Sequence, residues 1–122
     1  MMDNYKPAGW PTIVPRLFAA DVPGLVAFLK VVFGAEGHLE ADRPSEMRIA
    51  DSIIMVSDGG GLRSPQPGFL YVYVPDVDDT FKRAVGAGAR VVEHPADMPW
   101  GHRRATFEDP WGNIWQAATA RG

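Results

Sequence analysis

Apolar residues recur along this chain in two rhythms that follow each other in a fixed order. Residues 12–18, TIVPRLF, read as a strand. From Val22 to Phe33 the positions Val22, Val26, Leu29 and Phe33 fall at helical spacing. Asp21 is placed to cap that helix, Pro23 lies in its tolerant first turn, and Gly34 ends it. Three short strands are predicted next, at 38–41, 46–49 and 53–57, the last two joined by a turn at Ala50-Asp51-Ser52. A glycine- and proline-rich stretch, 59–68, reads as a mobile linker.

After the linker the order repeats. A strand is predicted at 69–74, a helix at 77–85 with Val77, Phe81, Ala84 and Val85 on one side, and a strand at 90–93. Residues 99–119 read as a hairpin around Asp109-Pro110-Trp111-Gly112-Asn113, where Pro110 presets a turn dihedral and Gly112 and Asn113 tolerate left-handed backbone. Asp21-Val22 matches Asp76-Val77 at an offset of 55, and Gly34-Ala35 matches Gly88-Ala89 at an offset of 54. The chain is therefore expected to be α+β, two βαβββ repeats whose curved mixed sheets surround a cleft, with residues 12–58 and 69–122 as the two modules of one domain. Residues 1–11 are expected to form an extended arm.

One helix can cover only one face of each sheet, so alternation nominates the residues of the other face. In the first strand Leu17 and Ala19 meet the helix, leaving Val14, Arg16 and Phe18. In the strand at 46–49, Met47 and Ile49 turn inward and leave Glu46 and Arg48. At 69–74, Leu70, Val72 and Val74 suit the helix side and leave Phe69, Tyr71 and Tyr73 for the cleft.

Composition narrows the function. At 122 residues, 46% hydrophobic and 22% charged, the chain fits one soluble unit with a real core. A net charge of −3 argues against a general nucleic-acid binder, which needs a cationic surface. No apolar run reaches the roughly 18 residues of a membrane span. The absence of cysteine removes disulfides and thiolate chemistry and agrees with a cytoplasmic location. No Ser-His-Asp set or P-loop is present, since Gly59-Gly60-Gly61 leads into Leu62-Arg63-Ser64-Pro65 rather than a helix.

The repeat, the segments LFAADVPGLVAFLKVVFGAE and VPDVDDTFKRAVGAGA, and the ending WGHRRATFEDPWGNIWQAAT resemble the vicinal oxygen chelate superfamily of glyoxalases, bleomycin-resistance proteins and extradiol dioxygenases. The nearest likeness is to its small PhnB-like and bleomycin-resistance-like members, in which WG-x-R and DP-x-GN-x-W recur. The resemblance implies a small-molecule cleft, a homodimer that completes it, and, in the metalloenzymes, His or Glu ligands at four strand positions. Those positions fall here at Val14, Ile54 or Met55, Phe69 and Gln116, and a related histidine position at Pro44. A catalytic divalent ion needs about three protein ligands, so no metal or other cofactor is expected.

Other residues carry competing readings. His38, His94 and His102 lack metal-ligand spacing; His102, between Trp100 and Arg103, has the strongest functional claim, and a site from His102, Glu46 and Glu108 is disfavoured. Arg103 and Arg104 point to opposite faces. The spacing to Phe107 puts Arg103 on that residue's face, whereas the resemblance favours Arg103 as the recurring cleft residue, and the choice stays open. Trp115 reads as core, and Asp78-Asp79 as stabilisers of a helix start. The expected ligand-binding set is Arg16, Phe18, Glu46, Arg48, Phe69, Tyr71, Tyr73, Trp100, His102, Arg103 and Gln116, holding a planar or anionic compound by stacking and charge-assisted bonds. The alternative is a divalent-metal lyase, isomerase or dioxygenase.

Overall fold

A computed structural model describes residues 5–59 and 66–120. The elements run β1 (Arg16–Phe18), α1 (Val22–Phe33), β2 (Ser45–Ile49), β3 (Ser52–Ser57), β4 (Phe69–Tyr73), α2 (Val77–Gly86), β5 (Arg90–Asp97), β6 (His102–Glu108) and β7 (Ile114–Ala120). They make two mixed sheets, ordered β1-β3-β2 and β4-β7-β6-β5. In each, the strand before the helix pairs parallel with the last strand of its module, β1 with β3 and β4 with β7, which is the signature of a repeat.

Local chemistry explains the helices. The Asp21 carboxylate accepts from the Gly24 N–H at 3.0 Å, and Gly34 closes α1 in the left-handed region at φ 67°. Asp76 caps α2 by accepting from the Asp79 N–H. The two helices pack against each other. Arg83 Nε and Nη2 donate to the Val32 carbonyl at 3.2 and 3.1 Å, partnering a carbonyl that the last turn of α1 leaves free.

A single core joins the modules. Leu17, Met47, Ile54 and Val56 face α1 from the first sheet, while Ala105, Phe107, Trp115 and Ala117 supply the second. Phe33 of α1 reaches across to Phe107 and Trp115, with ring centroids 6.3 and 4.9 Å away. Trp115 is fully buried, as core.

Three boundaries depart from expectation. The first strand is three residues, not 12–18, since Pro11 and Pro15 have no N–H to donate to a ladder. Residues 38–41 are not a strand: the first module's remaining strand is reduced to one antiparallel bridge, Glu36 with Arg48. Gly37, at φ 151°, sits so close to the Glu46 carbonyl that a Cβ would collide with it, and beyond that point the chain leaves the sheet. Conversely, β5 continues to Asp97 through His94-Pro95. It is an edge strand with two register shifts, the setting in which proline is tolerated.

Of the linker 59–68, residues 60–65 lie outside the described residues, as do 1–4 of the arm. The linker's end is pinned, because the Gly68 N–H donates to Asn113 Oδ1 at 2.7 Å and the Gly68 carbonyl accepts from Ile114. Among the described residues no helix is long and apolar enough to cross a membrane.

Candidate functional site

Strand alternation divides the second sheet. One side, bearing Leu70, Val72, Ala105, Phe107, Trp115 and Ala117, is covered by the helices. The other carries Phe69, Tyr71 and Tyr73 from β4, Gln116 from β7, and His102, Arg104, Thr106 and Glu108 from β6. Registry aligns Tyr71, Gln116, Thr106 and Glu93 in one row and Tyr73, Ala118 and Arg104 in the next.

Aromatic rings gather around His102. The Tyr71 hydroxyl is 2.8 Å from His102 Nδ1. The rings of Tyr73 and Trp100 stand edge-on to the imidazole at 5.3 and 6.3 Å, and Tyr71 packs on Tyr73 at 5.5 Å. Phe69, Tyr73 and Trp100 nevertheless remain 67%, 63% and 57% exposed, so this large apolar area is open in a single chain.

Beside the rings lies a polar chain. Gln116 donates to Thr106 Oγ1, Thr106 donates to Glu93 Oε1, and Arg104 Nη2 meets the same oxygen at 3.4 Å. The Arg104 guanidinium also lies 5.4 Å from the Trp100 ring centre. Its Nε is buried without an acceptor among the described residues, an unpaired donor of the kind that natural interiors rarely keep.

The arginine choice is resolved by geometry. Arg103 shares the face of Ala105 and Phe107 and turns towards α2, where Nε and Nη2 donate to both Asp78 oxygens at 2.9 and 3.1 Å and Nη1 reaches Asp97 at 3.2 Å. Hydrogen bonds to Asp78 first, then Asp97, raise the guanidinium well above its ordinary range despite opposing desolvation. Arg103, which the expected ligand-binding set included, is thus a brace between β6 and α2, and it is Arg104 that lies on the open face. Core alternation with Phe107 was the signal that could have found Arg104; the likeness to WG-x-R pointed the other way. The same alternation reaches Thr106, but Glu93 had no comparable signal, because the register shifts in β5 hide which of its residues share a face.

The first sheet presents its own uncovered side. Arg16 lies 5.1 Å over the Phe18 ring and donates to Ser57 Oγ at 3.3 Å. Glu46 and Arg48 line a shallow hollow of about 280 Å³ with Trp10, Glu36, Gly37 and Ile53. Within one chain these four residues are not brought together with the aromatic face. A larger hollow, about 590 Å³, lies elsewhere, between the start of α1 and residues 39–43, and its Arg43 is already paired with Glu40.

The metal positions implied by the resemblance do not fit a cation. Ile54 is buried in the core, Phe69 and Met55 offer no side-chain oxygen or nitrogen, and Gln116 offers only a neutral amide oxygen. His94 packs against Phe81. Among the described residues no group of three or more His, Asp or Glu side chains could hold a metal ion.

Comparison with known proteins agrees with the architecture. The description "Glyoxalase/Bleomycin resistance protein/Dioxygenase superfamily" matches residues 12–117. An uncharacterized protein of Mycobacterium bovis is 30% identical, over 86% of this chain and 80% of its own length. Among solved structures, TioX from Micromonospora sp. ML1 superposes with a TM-score of 0.76 at 27% identity, over 90% of this chain and 98% of that one. A family enzyme from Burkholderia phytofirmans PsJN gives 0.74 at 18% identity, over 88% and 96%, and so bears on the fold alone.

Proposed function

The chain belongs to the glyoxalase/bleomycin resistance protein/dioxygenase superfamily, and we propose that within it the protein binds a planar small molecule without a metal ion. The carrying observation is the open face of β4, β7 and β6, where Tyr71, Tyr73, Trp100 and His102 surround Arg104. Rings and a guanidinium recognise flat compounds by stacking, and the polar chain beyond them fixes orientation. The protein acts by sequestration, as a binder in the manner of the small PhnB-like and bleomycin-resistance-like members rather than as a divalent-metal lyase, isomerase or dioxygenase, in the cytoplasm.

The same observation supports a homodimer. Both sheets leave one face uncovered, and the residues expected in the cleft are split between them: Arg16, Phe18, Glu46 and Arg48 on one, the aromatic cluster on the other. A second copy laid against each face encloses a cleft that one chain leaves open. Light scattering is expected to give the mass of two chains, and a monomer that still binds its ligand would remove this part of the reading.

Calorimetric titration with bicyclic aromatic compounds tests the binding. Tyr73→Ala and Trp100→Ala are each expected to weaken binding about tenfold without loss of folding, because the two rings are exposed and support no core. Affinity is expected to survive exhaustive chelation. Equal binding by both variants, or binding abolished by chelation and restored by a divalent ion, would contradict the proposal.

A further inference from the structure

The charges on the aromatic face cancel in pairs. Arg90 Nη2 is paired with Glu108 Oε1 across β5 and β6, and Arg104 Nη2 meets Glu93 Oε1 at 3.4 Å. Among the described residues the cluster also holds the titratable His102, Tyr71 and Tyr73, with His102 sharing its Nδ1 with the Tyr71 hydroxyl, and Asp51 borders the two tyrosines in a hollow that they share. We propose that this face selects neutral planar compounds carrying an amide or lactam edge over equally shaped carboxylates; the inference rests on the binding reading above and specifies its ligand class.

A carboxylate would find a poor counterpart in Arg104. Bidentate capture uses two adjacent N–H groups of the guanidinium fork. Here Nη2 already faces Glu93, Nε is buried, and the plane lies against Trp100. An anion at the remaining Nη1 would also sit within reach of the Glu93 carboxylate, with repulsion offsetting attraction at similar distances.

An amide edge meets the opposite situation. Its carbonyl can accept from Arg104 Nη1 while its N–H donates to Glu93 Oε2, which has no hydrogen bond among the described residues. Glu93 is held for that role by Thr106, itself buried and supported by Gln116. Arg104 and Glu93 meet at the border of the rings, where a flat ligand presents one polar edge.

The test is calorimetric titration of the full chain with 2-naphthamide and 2-naphthoate, which share ring and shape, at neutral pH and physiological salt. The amide is expected to bind at least about tenfold tighter. In Glu93→Gln, which keeps an oxygen for Thr106 and Arg104 but removes the charge, the carboxylate is expected to gain about tenfold and the preference to collapse. A carboxylate that binds as tightly as the amide in the unmodified protein, or a preference untouched by Glu93→Gln, overturns the inference and leaves the binding reading standing. Binding of neither probe overturns both.

Discussion

Asp109 illustrates how one side chain can account for a whole motif. Its carboxylate is buried and accepts from the backbone N–H groups of Trp111 and Asn113, from Asn113 Nδ2 and from Trp115 Nε1, each at 2.9 Å. Asn113 in turn holds the end of the linker through Gly68. Asp109→Asn places an NH2 where two donors already point, and is expected to cost about 2–4 kcal/mol in urea unfolding. A loss below 1 kcal/mol, of the order of one ordinary hydrogen bond, would show the cluster to be dispensable. The sequence displayed this turn through Pro110 and Gly112 but concealed its anchor, since a carboxylate's four partners are a matter of three-dimensional convergence. Ala50 is a second such case. It opens the β2–β3 hairpin at φ 52°, a conformation costly for any residue with a Cβ, so Ala50→Gly is expected to stabilise by up to about 1 kcal/mol. The adjacent arginines separate by role: Arg103→Ala should lower the urea midpoint and leave ligand affinity unchanged, whereas Arg104→Ala should weaken ligand binding in calorimetric titration.

At the scale of elements, the sequence was most readable where a cap and a period coincide. Asp21, the apolar spacing and Gly34 define α1 with the bounds observed, and the repeat expected from the sequence appears as the same parallel pairing in each sheet, β1 with β3 and β4 with β7. It was least readable where neighbours decide. Residues 38–41 stand where the repeat calls for a strand, yet Gly37 is pressed against the Glu46 carbonyl and the ladder stops after the Glu36–Arg48 bridge. His94-Pro95 suggests a loop, yet an edge position and a bulge accommodate the proline. Gly37→Ala tests the first of these explanations. It adds a Cβ at φ 151° against backbone, and is expected to lower stability by at least about 2 kcal/mol by thermal or urea melting; a neutral effect would mean that β2 yields freely.

In the whole molecule, two helices and one face of each sheet build a single core, and the remaining faces are left without cover. On the proposed reading that division supplies the binding surface: the core fixes the strands, and the strands fix rings and charges on the open side. Arg16, Phe18, Glu46, Arg48, Phe69, Tyr71 and Tyr73, nominated by alternation, lie on these faces, whereas Arg103, favoured for the cleft by the resemblance, is on the core side in its pair with Asp78. The central claim is that recognition takes place on the aromatic face of β4, β7 and β6. The four tryptophan indole N–H resonances of the nitrogen-15-labelled protein report on it most directly, because Trp100 lies on that face while Trp111 packs on Phe28 and Trp115 is bonded to Asp109 in the core. On titration with 2-naphthamide the Trp100 signal is expected to shift and saturate while those of Trp111 and Trp115 stay in place; shifts confined to Trp10, Trp111 or Trp115 would contradict the account.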